Sequence, residues 1–123
     1  MTKIFTFLAS LNAALSVGFG AFGAHVLKTK LPADMIAIYQ TGVQYHFYHA
    51  LGLFAVAFVA KQLPSSALIK WSGWLMFAGI ILFSVSLYAL SVSGIRWLGA
   101  ITPLGGVAFV TAWLLLAVAV LRG

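Results

Sequence analysis

The stretch LGAITPLGGVAFVTAWLLLAVAVL, residues 98–121, carries no charged side chain and is closed by Arg122. An α-helix rises about 1.5 Å per residue, so about 20 mainly apolar residues cross a hydrocarbon layer about 30 Å thick. This segment is long and oily enough to do so. Three more segments meet the same test, at about residues 4–26, 42–60 and 71–92. The expected fold is all-α: one domain over residues 1–123, an integral membrane bundle of four transmembrane helices.

Composition points the same way. Hydrophobic residues make up 63% of the chain and charged residues 7%, with a mean hydropathy of +1.11, whereas soluble domains are about 25% charged. Seven Lys or Arg and one acid cannot cover a water-facing surface. The net charge of +6 raises the question of nucleic acid. Yet Lys3, Lys28, Lys30, Lys61, Lys70, Arg96 and Arg122 are scattered at the ends of apolar runs, where such side chains snorkel toward headgroups. The expected partner is the lipid bilayer, with no nucleic acid. The absence of cysteine removes disulfides, thiolate nucleophiles and Cys-type zinc sites from consideration. The amino terminus, Lys3 followed by an apolar run, has the outline of a secretory signal. Glycine and polar residues run through it as in packed membrane helices, and no cleavage is expected.

Pro32 and Asp34 mark a helix start. The second helix therefore begins before the membrane, with a more polar, amphipathic N-terminal extension from Asp34 and a bend expected at Gly42. Pro64, Ser65 and Ser66 form the clearest loop. With four spans, Lys3, Lys61, Lys70 and Arg122 share a face with both termini, and Lys28, Lys30 and Arg96 lie opposite. That bias places the termini in the cytoplasm. Small residues mark expected helix contacts. Gly18, Gly20 and Ala24 in the first span, with Ala14 and Ser16 at four-residue intervals, predict a central first helix, and Gly105 and Gly106 predict close packing of the fourth.

Polar groups are costly inside a bilayer, so their positions are the best functional signal. This topology brings the end of the first helix, the start of the second, the end of the third and the start of the fourth to one face. The expected cluster there is His25, Gln44, His46, His49, Ser84, Tyr88 and Thr102, joined by Gln40, Ser86 and Arg96. His46 and His49 stand three residues apart, with Tyr45 four residues before His49. Such rings can hydrogen-bond neighbouring helices, relay protons, or ligate a metal or haem, with His25, His46 and His49 as the metal candidates. No His-x-x-x-His or Glu-x-x-His spacing sharpens the metal idea. Asp34, the sole acid, reads as a helix-start residue. No carboxylate pair, thiol or Ser–His–acid set is present, so no enzyme and no cofactor are expected. Arg96 and Trp97 form an interfacial anchor, and the glycines at 20 and 23 follow no strand and are packing residues rather than a phosphate loop.

Gly20-Ala21-Phe22-Gly23-Ala24-His25, Tyr45-His46-Phe47-Tyr48-His49-Ala50-Leu51, the third-span pairing of Leu82-Phe83-Ser84 with Ser86-Leu87-Tyr88, and Ile101-Thr102-Pro103-Leu104-Gly105-Gly106 occur in that order. This ordered set resembles the domain-of-unknown-function 423 family, which is related to the transmembrane protein 256 group. The resemblance covers essentially the whole chain. It implies a small multi-pass membrane protein, for bacterial members in the plasma membrane, and supplies no activity. The leading expectation is a structural or accessory component of a membrane assembly, as a homo-oligomer or within a larger complex. The alternatives are a metal, haem, quinone or other small-molecule site on the histidines, or a small transporter formed by oligomerisation.

Overall fold

The start of each helix is written in short polar or cyclic residues. Pro32, with φ −59° and ψ 157°, caps the helix that follows it, and Asp34 Oδ1 accepts from the Met35 N–H at 3.0 Å. Ser66 Oγ accepts from the Ile69 N–H at 3.3 Å to open the next helix. Gly94, at φ +74°, closes the third span in the left-handed conformation that glycine adopts without strain. Pro103 occupies the first turn of the last helix, where its missing N–H costs nothing.

The computed structural model describes residues 1–123. Its elements are α1 (Thr2–His25), a 3₁₀ turn (Leu27–Thr29), α2 (Ala33–Gln62), α3 (Ala67–Gly79), a π-helical segment (Ile80–Val85), α4 (Ser86–Ser93), a second 3₁₀ turn (Arg96–Ala100) and α5 (Thr102–Arg122). α3, the π segment and α4 form one continuous rod, so four rods are long and apolar enough to cross a membrane. The expected all-α four-span bundle is what the chain forms. The α2–α3 turn lies beside the carboxy terminus, where Leu63 contacts Gly123. At the other end Arg96 meets Asp34 at 3.2 Å, so the up-down order is also as read.

One expectation changes. The second and third rods are the centre, with 44% and 50% of their most apolar windows buried, against 28% for the first and the fourth. α1 packs chiefly on α2 and α5 chiefly on α3, on opposite sides of that central pair. The first helix is thus peripheral, because its small residues serve one neighbour rather than several. α2 is also continuous through Gly42. At about 45 Å it exceeds the hydrocarbon, so its first turns project beyond it.

Glycines act as sockets rather than as a ridge. Gly73 receives the Phe5 ring, Gly79 receives Phe109 and Gly23 receives Tyr39, each so close that a Cβ would overlap the ring, and Gly42 lies in tight contact with Tyr88. Gly105 goes further and abuts the backbone of Phe83. Gly20 is in lesser contact, with Val43. Gly18, Gly106 and Ala24 do not fill the packing role expected of them. No atom from another part of the fold lies near the first two, and Ala24 is exposed. The four-residue rhythm finds a helix face but cannot say whether a neighbour covers it. Phe5, Leu53, Val56, Ile69, Met76 and Ala112 fill an apolar core in the half of the bundle near the termini. Within it Ser72 Oγ donates to the Ala112 carbonyl at 2.7 Å, and the larger polar networks lie above.

Candidate functional site

Asn12 lies near the middle of α1, is buried, and donates its Nδ2 to the Leu8 carbonyl at 2.8 Å. That bond fixes the amide orientation and turns Oδ1 toward α2, where it lies 2.9 Å from His46 Nε2. An amide oxygen only accepts, so Nε2 carries the proton. Nδ1 of His46 is therefore the acceptor, and the Tyr88 hydroxyl, 2.8 Å away, donates to it. One neutral tautomer satisfies the whole chain from α1 through α2 to α4.

His49 is held in the opposite tautomer. The Trp113 indole N–H can only donate, and it points at His49 Nε2 from 3.1 Å. Nδ1 then carries the proton and donates to the Tyr45 carbonyl at 2.7 Å. The ring stacks on Phe109, centroids 3.5 Å apart and planes 8° from parallel. Three residues turn a helix so that these two imidazoles diverge by about 60°. His46 consequently serves the α1 and α4 side while His49 serves α5.

The predicted cluster separates into parts. His46 and Tyr88 meet, joined by Asn12. Thr102 meets Ser86, their hydroxyls 2.7 Å apart, and Ser86 also donates to the Phe83 carbonyl. Ser84 is fully buried in the π segment and its Oγ has no partner. His25 is exposed at the end of α1, and Gln40 and Gln44 are exposed on the outer side of α2. Arg96 pairs with Asp34 at the surface. No three His, Cys, Asp or Glu side chains are grouped as metal ligands, and His25, His46 and His49 do not converge. α2 begins at Ala33, as the Pro32 and Asp34 start signal predicts, and His46 and His49 fall near the middle of that helix.

Sequence reasoning missed three contributors. Asn12 is the only asparagine in the chain, and an intramembrane carboxamide was a signal in itself. Trp113 contributes its indole N–H to His49, and its place in the fourth span gives no sign of that. Tyr39, whose hydroxyl donates to the Phe19 carbonyl at 2.6 Å, gave no signal beyond its type. Beside the first network a cleft of about 440 Å³ opens sideways between α1 and the third rod. Leu11, Leu15, Phe19, Phe77, Ile81 and Val85 line its walls, and Asn12, His46 and Tyr88 line its inner end.

The chain is 57% identical over 120 residues to the UPF0382 membrane protein YwdK of Bacillus subtilis, covering 98% of each. It is 46% identical to the UPF0382 membrane protein SSP2132 of Staphylococcus saprophyticus, covering 94% of this chain and 95% of that one. A UPF0382 membrane protein of Staphylococcus epidermidis is 45% identical, covering 98% and 97%. No solved structure matches the chain. Residues 19–106, which hold both imidazoles, the π segment and the start of α5, match the family model described as protein of unknown function DUF423, and with four membrane-length helices carrying that match the chain belongs to this family of membrane proteins.

Proposed function

We propose that this protein is a non-enzymatic accessory component of a membrane assembly, set in the bacterial plasma membrane with both termini in the cytoplasm. One observation carries this reading: all four ring nitrogens of His46 and His49 are engaged inside the chain. The nitrogens that would ligate a metal or accept a proton already hold the Tyr88 hydroxyl and the Trp113 N–H. Spent in this way, the imidazoles join helices, which is the common work of polar side chains between membrane helices. Bacterial relatives and the excess of basic residues at the terminal face support the placement. Gentle extraction followed by native mass spectrometry should find a second protein at a fixed ratio to this chain. Recovery of this chain without any other protein would refute the reading.

The lateral cleft favours a second reading, a site for a membrane-soluble small molecule with an apolar body and a hydrogen-bonding group. Its walls are apolar while its inner end offers the Tyr88 oxygen and an Asn12 N–H. The same spectrum should then show a bound small molecule that His46→Ala removes while the bundle stays folded. A metal-free, colourless protein of bare chain mass would eliminate it.

A further inference from the structure

The hydrogen bonds of the first network all run in one direction. Tyr88 donates to His46 Nδ1 at 2.8 Å, and His46 Nε2 donates to Asn12 Oδ1 at 2.9 Å. Each end keeps one hydrogen-bonding position that nothing in the chain fills. The Asn12 amide has two N–H bonds and only one of them meets the Leu8 carbonyl, so a donor remains. Tyr88 has given its proton to His46 and no group donates to its oxygen, so an acceptor remains. Asn12 is only 4% exposed, and a buried N–H without a partner is costly. Both ends line the lateral cleft between α1 and the third rod. At about 440 Å³ the cleft falls within the range of small-molecule pockets, about 300–1,000 Å³.

Resting on the reading of this cleft as a small-molecule site, we infer that it binds a lipid-soluble hydroquinone, and binds it better than the oxidised quinone. A ligand that completes the network must donate at Tyr88 and accept at Asn12. An imidazole ring and two hydrogen bonds, of 2.8 and 2.9 Å, stand between those positions. The single head group of a fatty acid or fatty alcohol cannot meet both. A six-membered ring with oxygens at opposite corners can. Phe19 of α1 and Phe77 of α3 line the cleft from its two walls and offer that ring aromatic contact, while Leu11, Leu15 and Ile81 suit a hydrocarbon tail. Redox state decides the fit. One hydroquinone hydroxyl donates to the Tyr88 oxygen, and the oxygen at the opposite corner accepts from Asn12. A quinone has acceptors at both corners and sets one of them against a Tyr88 oxygen whose proton is already spent. Turning that proton toward the quinone would leave His46 Nδ1 unpaired.

The chain has no cysteine, so a reductant can hold the ligand in one redox state without altering a thiol or disulfide. Purified protein in lipid nanodiscs should take up decylhydroquinone under anaerobic, reducing conditions at one per chain, measured against empty nanodiscs. Decylbenzoquinone should bind about tenfold more weakly, the equivalent of one hydrogen bond. Tyr88→Phe should remove most of that difference. Leu15→Trp fills the cleft from a position 42% exposed and replaces no member of the network. It should abolish uptake of both forms while circular dichroism shows the bundle still folded. Equal uptake of the two forms, preference for the quinone, uptake of neither, or uptake that survives Leu15→Trp would each overturn the proposal. Equal uptake that Leu15→Trp removes would leave the small-molecule reading standing, as would a different bound molecule in the native mass spectrum. No uptake together with a bare chain mass would remove both.

Discussion

Replacing Gly105 with alanine tests how closely α5 and the π segment are fitted together. The new methyl would lie 2.5 Å from Phe83 N, 2.7 Å from its Cβ and 2.8 Å from its Cα, whereas ordinary van der Waals contact begins at 3.4 Å. Two of these atoms are backbone, so no rotamer change relieves the overlap. The rods must part by several tenths of an ångström. Overpacking of this kind costs about 1–3 kcal/mol, partly offset by the better helix propensity of alanine, up to about 1 kcal/mol. A net loss of about 2 kcal/mol corresponds to about thirtyfold in the unfolding equilibrium. Gly106→Ala is the matched control, since nothing lies within 4 Å of its added Cβ, and it should be neutral or slightly stabilising. Both variants can be titrated with SDS in mixed micelles, with tryptophan fluorescence as the signal. Coincident midpoints for Gly105→Ala and Gly106→Ala would refute the packing argument.

Tyr88→Phe removes the donor to His46 Nδ1 and should cost about 0.6–2 kcal/mol in the same titration. A double-mutant cycle with Asn12→Ala should show coupling through the shared ring, and strict additivity would mean that the three side chains do not act as one network. Ser84→Ala deletes a buried hydroxyl that has no partner, so it should leave stability unchanged or raise it by about 1 kcal/mol, and a clear loss would show that the hydroxyl is used. Asp34→Asn breaks an ion pair whose side chains are 70% and 58% exposed. It should shift the midpoint by no more than about 0.5 kcal/mol, and a larger effect would show that the pair ties the two loops together.

The four spans were legible because hydrocarbon thickness imposes a length that four runs of this chain satisfy and nothing else in it approaches. Depth was less legible. It depends on where the bilayer meets a helix, and no residue pattern marks that level in α2, whose polar first turns run on into the span with His46 and His49 near the middle of the rod. Glycine spacing told which faces admit a close neighbour, yet Gly18 and Gly106 meet no other part of the fold while Gly73 and Gly79 hold aromatic rings. Complementarity between a glycine and a distant ring leaves no local pattern. The π segment left none either, because an extra residue in a turn is visible only when the packing on both sides is known.

The pairing of Asn12 has a consequence for how the chain is made. Synthesis delivers Asn12 to the bilayer 34 residues before His46, and Tyr88 follows His46 by another 42. Until then the amide has one companion, the Leu8 carbonyl on its own helix, so the nascent first span hides its N–H but leaves its oxygen wanting. Arrival of the second span supplies the imidazole, and the amino-terminal hairpin can zip shut while the rest is still in the ribosome. Tyr88 then acts as a late latch, closing on a ring whose free nitrogen the earlier contact has already chosen.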